Sequence, residues 1–165
     1  MLQNKLFQNR IEDTSFYYEQ RKSLLNKQGF YWKDIDKVEQ RLNQCINSFF
    51  PERSRSALDF CLSIKDSCDF GELYGVVAII IRSKAFDELK QIIENPVYFD
   101  DKDKTKVIID AIRFEDTPNE WIKSFIDGKH TNSNYIPVIL EICGYKGIAL
   151  NRDNLVFRKN KAIYH

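Results

Sequence analysis

Apolar residues recur every three or four positions along most of the chain, which is the spacing of amphipathic helices. The segment 33–49, KDIDKVEQRLNQCINSF, shows this most clearly, because its apolar side chains fall on one helical face. These are Ile35, Val38, Leu42, Cys45, Ile46 and Phe49. A preceding helix over 14–26 carries Phe16, Tyr17, Leu24 and Leu25. Because Gly29 is suited to end that helix, we expect the two segments to form an antiparallel hairpin.

Capping residues and prolines divide the rest of the chain into further helices. Asp69 and Glu72 form a capping-box pattern ahead of a segment, ending near Arg82, that is apolar nearly all round. Such a segment indicates a central, buried helix. The β-branched run VVAIII at 76–81 also suits a strand, but the upstream cap and the lack of a partner strand favour the helix. Other helices are predicted at 52–64, from 85 to Pro96, at 103–114, from the Thr117 cap to Gly128, and from 135 to Gly144.

Two blocks of the chain resemble each other. The segments 80–93 and 111–126 share an Ile-Arg pair, and the offset between them grows from 31 at that pair (81 to 112) to 33 at the end (93 to 126), as a loop insertion requires. A weaker third copy runs from 142 to 156. Helix–turn–helix units at such a period predict HEAT-like αα-hairpin repeats stacked as a short α-solenoid. A compact irregular helical bundle is the alternative.

The length and the repeats together set the predicted domain organisation. A chain of 165 residues suits one domain, so we predict a single all-α helical-repeat domain over 1–165. Within it, an N-terminal helical hairpin cap covers 11–50, stacked helical pairs cover 51–144, and a C-terminal segment covers 145–165.

Composition and charge narrow the functional classes. The 25 Lys and Arg residues nearly equal the 24 Asp and Glu residues, so the formal net charge of +1 argues against a general nucleic-acid binder, although a local basic patch stays open. The N-terminus has no export signal, and the longest apolar run, 76–81, is too short to cross a bilayer. We therefore expect a soluble protein of the cytoplasm.

The four cysteines are expected to be buried, reduced thiols that act as small apolar side chains. They are Cys45, Cys61, Cys68 and Cys143. None belongs to a C-x-x-C pair, and no His cluster accompanies them, so we predict neither a metal site nor a cofactor.

The segment YFDDKDK at 98–104 is the candidate partner-binding site. It contains Tyr98, Phe99, Asp100, Asp101 and Asp103. In one interpretation the segment is a solvated loop in which Asp101 caps the next helix. In the other it is an acidic, aromatic finger that inserts into a basic cleft of a partner protein, with the aromatic residues supplying buried area and the carboxylates supplying steering. The spacing of an EF-hand is absent, so we do not expect a metal here.

The aromatic and arginine residues elsewhere have structural interpretations. The segment FYWKD at 30–34 is expected to pack as a hydrophobic staple and in the core, with an interface as the alternative, and Trp121 is also expected in the core. Arg41 and Arg82 lie on largely apolar helices, where an arginine usually pairs with a carboxylate. The candidate carboxylates are Glu39, Glu72 and Asp110.

The two histidines and the C-terminal tail give no catalytic pattern. His130 and His165 lie in polar surroundings without a Ser or Cys nucleophile signature, so we do not expect an enzyme. The basic tail at 152–165 could contact phosphates or an acidic partner, or it could be a solvated terminus.

The order of the helical motifs resembles the N-terminal part of a known bacterial family. The motifs are IEDTSFYYEQRKSLL, WKDIDKVEQRLNQCINSF, ALDFCLSI and GELYGVVAIII. They resemble a bacterial HEAT-repeat family whose members are typically encoded near type VI secretion effector and spike genes. Phe16 and Arg21 match its opening helix, and VEQRL at 38–42 matches its Leu-Asp-Glu-Arg-Leu segment, with the Asp and Glu replaced by Glu and Gln. The similarity covers roughly residues 11–115, and family members are usually longer.

The resemblance implies a role in binding, because the family has no established catalytic residues to carry over. We expect an immunity protein that binds and inhibits a cognate, cytoplasm-acting toxin of a type VI secretion system. An adaptor or scaffold for a secretion effector is the first alternative, and a helical-repeat nucleic-acid binder is the second. An adaptor would bind without inhibiting, and a nucleic-acid binder would lose affinity steeply with salt.

Overall fold

The computed structural model describes residues 2–27, 29, 31–50, 54–99, 101–127 and 135–150. These residues form nine α-helices and no strand, which confirms the predicted all-α class. The helices are α1 (Leu2–Leu25), α2 (Trp32–Asn47), α3 (Ser54–Ile64), α4 (Phe70–Arg82), α5 (Phe86–Glu94), α6 (Pro96–Phe99), α7 (Lys102–Phe114), α8 (Asn119–Asp127) and α9 (Ile136–Lys146).

Helix α4 lies at the centre, as its sequence predicts. Its side chains are buried almost continuously from Leu73 to Ile81. The capping box is present, because the Glu72 amide donates to the Asp69 carboxylate at 2.7 Å and the Asp69 amide donates to the Glu72 carboxylate at 3.0 Å. The strand alternative for 76–81 is therefore wrong, and the β-branched run is accommodated in a helix covered on all sides.

The other helices are arranged around α4 by direct packing. Helices α1, α4, α7 and α9 follow one another as a row of packed neighbours. Helix α2 packs on α1, α3 and α5 pack on α4, and α8 packs on α9. The α1–α2 hairpin predicted from the sequence is confirmed, and α2 buries Ile35, Val38, Leu42 and Ile46.

Helix α1 differs from the prediction in its length and in its buried face. It begins at Leu2 rather than near residue 14. Its buried residues are Phe7, Ile11, Thr14, Tyr18 and Arg21. Phe16 is 61 % exposed and Leu25 is 42 % exposed. The buried face was missed because Thr14 and Arg21 interrupt its apolar pattern with polar side chains.

Three predicted helix ends need correction. Helix α9 continues through Gly144 and ends at Lys146, and Gly147 follows it with a φ of 64°, the left-handed conformation that a C-terminal glycine adopts. Pro96 does end α5, but it also begins the short helix α6. Helix α8 begins at Asn119, and the Thr117 hydroxyl donates to the Ile112 carbonyl at 3.4 Å. Gly128 lies outside the described residues.

A bilayer-spanning helix is not found in the part of the chain that the structure describes.

Two glycines of α4 allow α1 to approach closely. A Cβ atom at Gly71 would lie 2.8 Å from the Ser15 Cα atom, and one at Gly75 would lie 2.9 Å from the Thr14 Cγ2 atom. Since the first contact is with backbone, a side-chain rotation cannot relieve it. The central contact between α1 and α4 therefore depends on the absence of a side chain at Gly71.

We predict opposite effects for two Gly→Ala substitutions within helices. Gly71→Ala should lower the free energy of unfolding by about 1–3 kcal/mol, because the two helices must separate. Gly144→Ala is the control: no atom lies within 4 Å of its Cβ position, so higher helix propensity should raise stability by up to about 1 kcal/mol. Urea denaturation of both variants measures the difference. Equal effects would contradict the close packing.

Candidate functional site

A groove of about 560 Å³ lies between α1, α2, α7 and the end of α9. We call it the α1–α7 groove. Its lining residues are Tyr18, Arg21, Lys22, Leu25, Asn26, Trp32, Ile35, Asp36, Glu39, Lys106, Asp110, Arg113, Phe114 and Tyr145. All but Asn26, which directly follows α1, come from four separate helices. The residues from each longer helix recur three or four positions apart, so each wall is one face of one helix.

The floor of the groove is tied to the core by Tyr18. Its ring is 1 % exposed and stacks on Tyr74 of α4, with the ring centroids 4.3 Å apart. Its hydroxyl donates to the Asp110 carboxylate at 3.1 Å. Burial raises the pKa of the Tyr18 hydroxyl, and the negative charge of Asp110 raises it further. The hydroxyl therefore stays protonated and keeps α1 hydrogen-bonded to α7.

Two arginines lie beneath aromatic rings of the groove. The buried Arg21 donates through Nε to Glu39 at 2.8 Å, and its guanidinium lies 3.7 Å from the centroid of the Phe114 ring. The Arg113 guanidinium lies 3.0 Å from the centroid of the Tyr145 ring. Cation–π contacts of desolvated guanidinium groups contribute about 2 kcal/mol. These contacts fix the positions of the rings on α7 and α9.

Large apolar side chains are unusually exposed along this groove. Trp32 is 76 % exposed, Tyr145 is 61 %, Phe114 is 45 % and Leu25 is 42 %. Scattered apolar residues on a surface need no explanation, but a contiguous group that lines one depression marks an interaction site. The combination of exposed aromatic residues with arginine is also typical of protein-binding hot spots.

The charges of the groove are nearly balanced. The cations are Arg21, Lys22, Lys106 and Arg113, and the carboxylates are Asp36, Glu39 and Asp110. The two charged residues that α2 contributes are both acidic. The groove therefore does not have the strongly positive field that nucleic-acid binding requires.

The predicted partner-binding segment lies at the junction of α6 and α7. Tyr98 is 1 % exposed, and its hydroxyl donates to the Asp66 carboxylate at 2.6 Å. Tyr98 is therefore a core residue, which corrects the expectation that its ring would contact a partner. Asp100 and the Phe99 side chain lie outside the described residues.

The acidic residues of the same segment have two different positions. The Asp101 carboxylate accepts hydrogen bonds from the amides of Asp103 and Lys104, so the prediction that Asp101 caps the next helix is confirmed. Asp103 is exposed, and helical spacing places it one turn before Lys106 on the face of α7 that lines the groove. Whether these carboxylates contact a partner stays a prediction.

The aromatic segment before α2 is not packed in the core. Tyr31 and Trp32 are 75 % and 76 % exposed, so the expectation of core packing is wrong for both. Phe30 lies outside the described residues. Trp121 is half-buried, with its ring centroid 5.4 Å from that of Phe86 and 4.8 Å from that of Phe125, so it packs against the core but is not the core residue that was expected.

The two arginines predicted to form ion pairs behave differently. Arg41 is exposed, and its Nη1 donates to the Tyr17 hydroxyl at 3.5 Å. It forms no ion pair with a carboxylate of the described residues, so none of the three expected partners is paired with Arg41. Arg82 does pair with a carboxylate, but the partner is Glu115, which was not among the candidates. Two hydrogen bonds of 2.6 and 2.7 Å join Arg82 to Glu115, and this bidentate geometry suits guanidinium and carboxylate.

Further contacts extend this ion pair into a cluster. Arg82 also donates to the side-chain oxygens of Asn43 and Asn47 at 2.7 Å each. The Lys146 ammonium donates to the Glu115 carbonyl at 3.0 Å, and burial lowers the pKa of Lys146. The cluster therefore joins α2, α4, α9 and the end of α7.

The remaining candidates add no second site. His130, His165 and the basic tail at 152–165 lie outside the described residues. Among those that are described, no three His, Cys, Asp or Glu side chains are grouped so that they could hold a metal.

The α1–α7 groove could not be predicted from the sequence, because its residues are scattered over four segments from Tyr18 to Tyr145. The consecutive aromatic residues at 30–32 were the one signal nearby, and their alternative interpretation as an interface stays a prediction.

No protein-family model, curated protein or solved structure matches the chain. The resemblance to the type VI secretion-associated HEAT-repeat family therefore stays a prediction.

We predict that Arg82→Ala lowers the free energy of unfolding by about 3–5 kcal/mol, because it leaves the buried Glu115 carboxylate without its partner. Arg82→Lys should recover only part of the loss, since one ammonium cannot replace a bidentate guanidinium. Arg55→Ala is the control, because Arg55 forms an exposed pair with Asp59 and its loss should cost less than about 1 kcal/mol. Chemical denaturation compares the three, and equal losses for Arg82→Ala and Arg55→Ala would contradict the role of the cluster.

The thiols and buried tyrosines all favour their protonated forms in the folded state. Burial raises the pKa of Cys61 and of Cys68 to about 12, and it also raises the pKa values of Cys45 and Cys143. The pKa values of Tyr18, Tyr74 and Tyr98 are raised by burial as well. All four cysteines are free. Since the unfolded chain loses these protons first, the stabilisation is complete below pH 9, the ordinary thiol pKa, and is lost as pH rises.

We predict that the free energy of unfolding falls with pH above about 9. The lowered pKa of Lys146 acts in the opposite direction below about pH 10.5, but it is one group against four thiols. Cys61→Ala removes one of the protons released on unfolding. It should therefore reduce the slope of the free energy of unfolding against pH by about 1.4 kcal/mol per pH unit between pH 9 and 12. Denaturation at several alkaline pH values measures both slopes. A slope that Cys61→Ala leaves unchanged would contradict the assignment.

Proposed function

We propose that the chain is a protein-binding protein, and that its partner is a cytoplasm-acting toxin of an interbacterial secretion system, which it holds inactive. The observation that carries the binding role is the α1–α7 groove. Four exposed large apolar side chains gather there above two arginines that are stacked on aromatic rings. Aromatic residues and arginine dominate the binding energy of protein interfaces.

The exposure of the groove favours a macromolecular partner over a small ligand. Pockets for small molecules enclose most of the ligand surface. Trp32 and Tyr145 here stand mostly in solvent, at 76 % and 61 % exposure, so a ligand on the groove floor would leave both uncovered. A protein surface can cover them together, and a standard interface of about 800 Å² per partner extends well past the groove.

The charge balance of the groove favours a protein over a nucleic acid. Its four cations face three carboxylates, and Arg21 is already paired with Glu39. Phosphate binding would need cations whose charge is not compensated.

The identity of the partner as a toxin rests on the resemblance described above. We also propose that the hairpins stack as a short HEAT-like array. The row α1–α4–α7–α9 supports that arrangement, and so does the matching placement of Arg82 and Arg113 at the ends of α4 and α7. In such an array, inhibition of the toxin would come from coverage of its active site.

The test is co-expression with the product of the neighbouring gene. The proposal expects a stable complex, rescued growth, and loss of toxin activity in the purified complex. A complex that leaves the activity intact would replace immunity with the adaptor function. If no complex forms and the chain instead binds nucleic acid in a way that added salt abolishes, nucleic-acid binding would replace the immunity function.

We predict that Trp32→Ala weakens the complex with the neighbouring gene product by about tenfold to a hundredfold, or 1.4–2.8 kcal/mol, the range of an interface hot spot. Tyr31→Ala is the matched control: Tyr31 is adjacent and equally exposed but does not line the groove. The melting temperature of each variant is compared with that of wild type, so that a loss of folded protein is told apart from a loss of binding. Calorimetric titration measures the affinities, and equal affinities for both variants would remove the groove from the interface.

The acidic segment is tested by the same titration with Asp103→Lys. This position is preferred to Asp101, because Asp101 caps α7 and its substitution would also change stability.

A further inference from the structure

The α2 wall of the groove carries two carboxylates with unused acceptor capacity. Among the described residues, Glu39 accepts one hydrogen bond, on Oε1 from Arg21, and its side chain is 40 % exposed. Asp36 is exposed and, within the same described ranges, accepts one hydrogen bond, on Oδ2 from Gln40 at 3.1 Å. The two are three positions apart on α2 and lie beside Trp32. A carboxylate can accept about four hydrogen bonds, so the described residues use only a small part of the capacity of these two.

The third carboxylate of the groove is already engaged. Asp110 accepts from the Tyr18 hydroxyl at 3.1 Å and from Arg113 at 3.4 Å, and its side chain is only 16 % exposed. On the α7 wall the exposed charge is the ammonium group of Lys106. The groove is therefore polarised, with available negative charge on its α2 side and positive charge on its α7 and α1 sides, where Lys106 and Lys22 lie.

The walls of the groove have the length and chemistry to receive a helix. The lining residues extend from Trp32 to Glu39 on α2 and from Lys106 to Phe114 on α7. The two stretches span seven and eight steps, or about 10–12 Å at 1.5 Å per residue, which is about two helical turns. The backbone groups of these walls are bonded within their own helices, so the groove offers side chains for recognition. A helical occupant satisfies its own backbone in the same way.

From this geometry we propose that the α1–α7 groove binds an amphipathic helical segment of the partner protein that places an Arg or Lys against Asp36 and Glu39. The apolar face of that segment packs on Leu25, Trp32 and Phe114. The inference rests on the proposed protein-binding function and names the chemistry of the partner. It follows from charge complementarity on the α2 wall and from the exposed apolar side chains next to it.

Burial of the apolar contacts makes the charge contact selective. An exposed ion pair contributes little, but an occupant that covers Trp32 and Phe114 removes water from the adjacent carboxylates. A segment with an acidic residue at that position would leave like charges together in a desolvated site, which costs several kcal/mol. The groove should therefore select basic segments and reject acidic ones.

The probe is a phage-displayed library of random peptides of about 16 residues, or about four helical turns. It is selected on the intact, immobilised chain at low salt. The proposal expects enriched sequences with Arg or Lys three or four positions from Leu, Phe or Trp. Enrichment of acidic sequences, or no enrichment, would overturn it.

Charge variants assign the selected peptides to the α2 wall. The highest-ranked peptide should bind Asp36→Lys at least about tenfold more weakly than wild type, and Asp36→Asn should show an intermediate loss. Glu12→Lys is the matched control, because Glu12 is also an exposed carboxylate that accepts from a glutamine four positions away on its helix, but it lies outside the groove. Affinity for wild type should fall as salt rises. Equal binding to Asp36→Lys and wild type would overturn the proposal.

The two proposals fail separately. If basic peptides bind at Asp36 but the neighbouring gene product does not bind, the groove chemistry stands and the toxin assignment fails. If the gene product binds and Asp36→Lys leaves that complex unchanged, the protein-binding function stands and the proposed groove chemistry fails.

Discussion

Helix α4 carries apolar side chains around nearly its whole circumference, so other helices must cover it on every side. Burying one aliphatic side chain of this size contributes about 1.5–3 kcal/mol, and the run from Leu73 to Ile81 is buried without a gap. The glycines at positions 71 and 75 add a geometric condition, because they let α1 pack against α4 closely enough to exclude water. The positions of α1 and α7 follow from this packing, and the groove between them follows from their positions.

Polar side chains then fix the angles that apolar packing leaves undetermined. Arg21 and Arg82 lie on the packed faces of α1 and α4. Because both are largely shielded from solvent, each requires a carboxylate partner at a defined distance. Arg21 joins α1 to Glu39 on α2, and Arg82 joins α4 to Glu115 after α7. Hydrogen bonds and ion pairs are directional, whereas apolar contacts are not. These pairs therefore select one relative placement of the helices from the several that would bury the same area.

The sequence predicted what depends on neighbouring residues and missed what depends on distant ones. The amphipathic pattern of α2, the capping box of α4 and the cap at Asp101 are local, and the structure confirms all three. The buried face of α1 was missed because it includes Thr14 and Arg21, and the sequence does not distinguish a buried polar residue from an exposed one. Their burial depends on a partner helix, and so does the choice of Glu115 by Arg82. Prediction of the groove required both the local helical pattern and the packing of distant helices. Tyr98 is the opposite case: its acidic neighbours in the sequence suggested an exposed residue, but tertiary packing places it in the core.

The stacked arginines connect the stability of the fold to the cost of binding at the groove. An exposed aromatic side chain usually loses rotamer freedom when a partner covers it, at about 0.5–1.5 kcal/mol for each side chain. Phe114 and Tyr145 have lost part of that freedom already, because a guanidinium lies against one face of each ring. Phe114 and Tyr145 nevertheless stay 45 % and 61 % exposed. The wall formed by α7 and α9 is therefore ordered before a partner binds. Contacts between a partner and these rings then cost less side-chain conformational entropy. An ordered wall of this kind is expected to lower the dissociation rate more than it raises the association rate.

The acidic side chains of α2 affect the association rate of the partner and the choice between partners. Specificity in this groove thus depends on the acidic side chains of α2, whereas affinity depends both on Trp32 of α2 and on the ordered rings of α7 and α9.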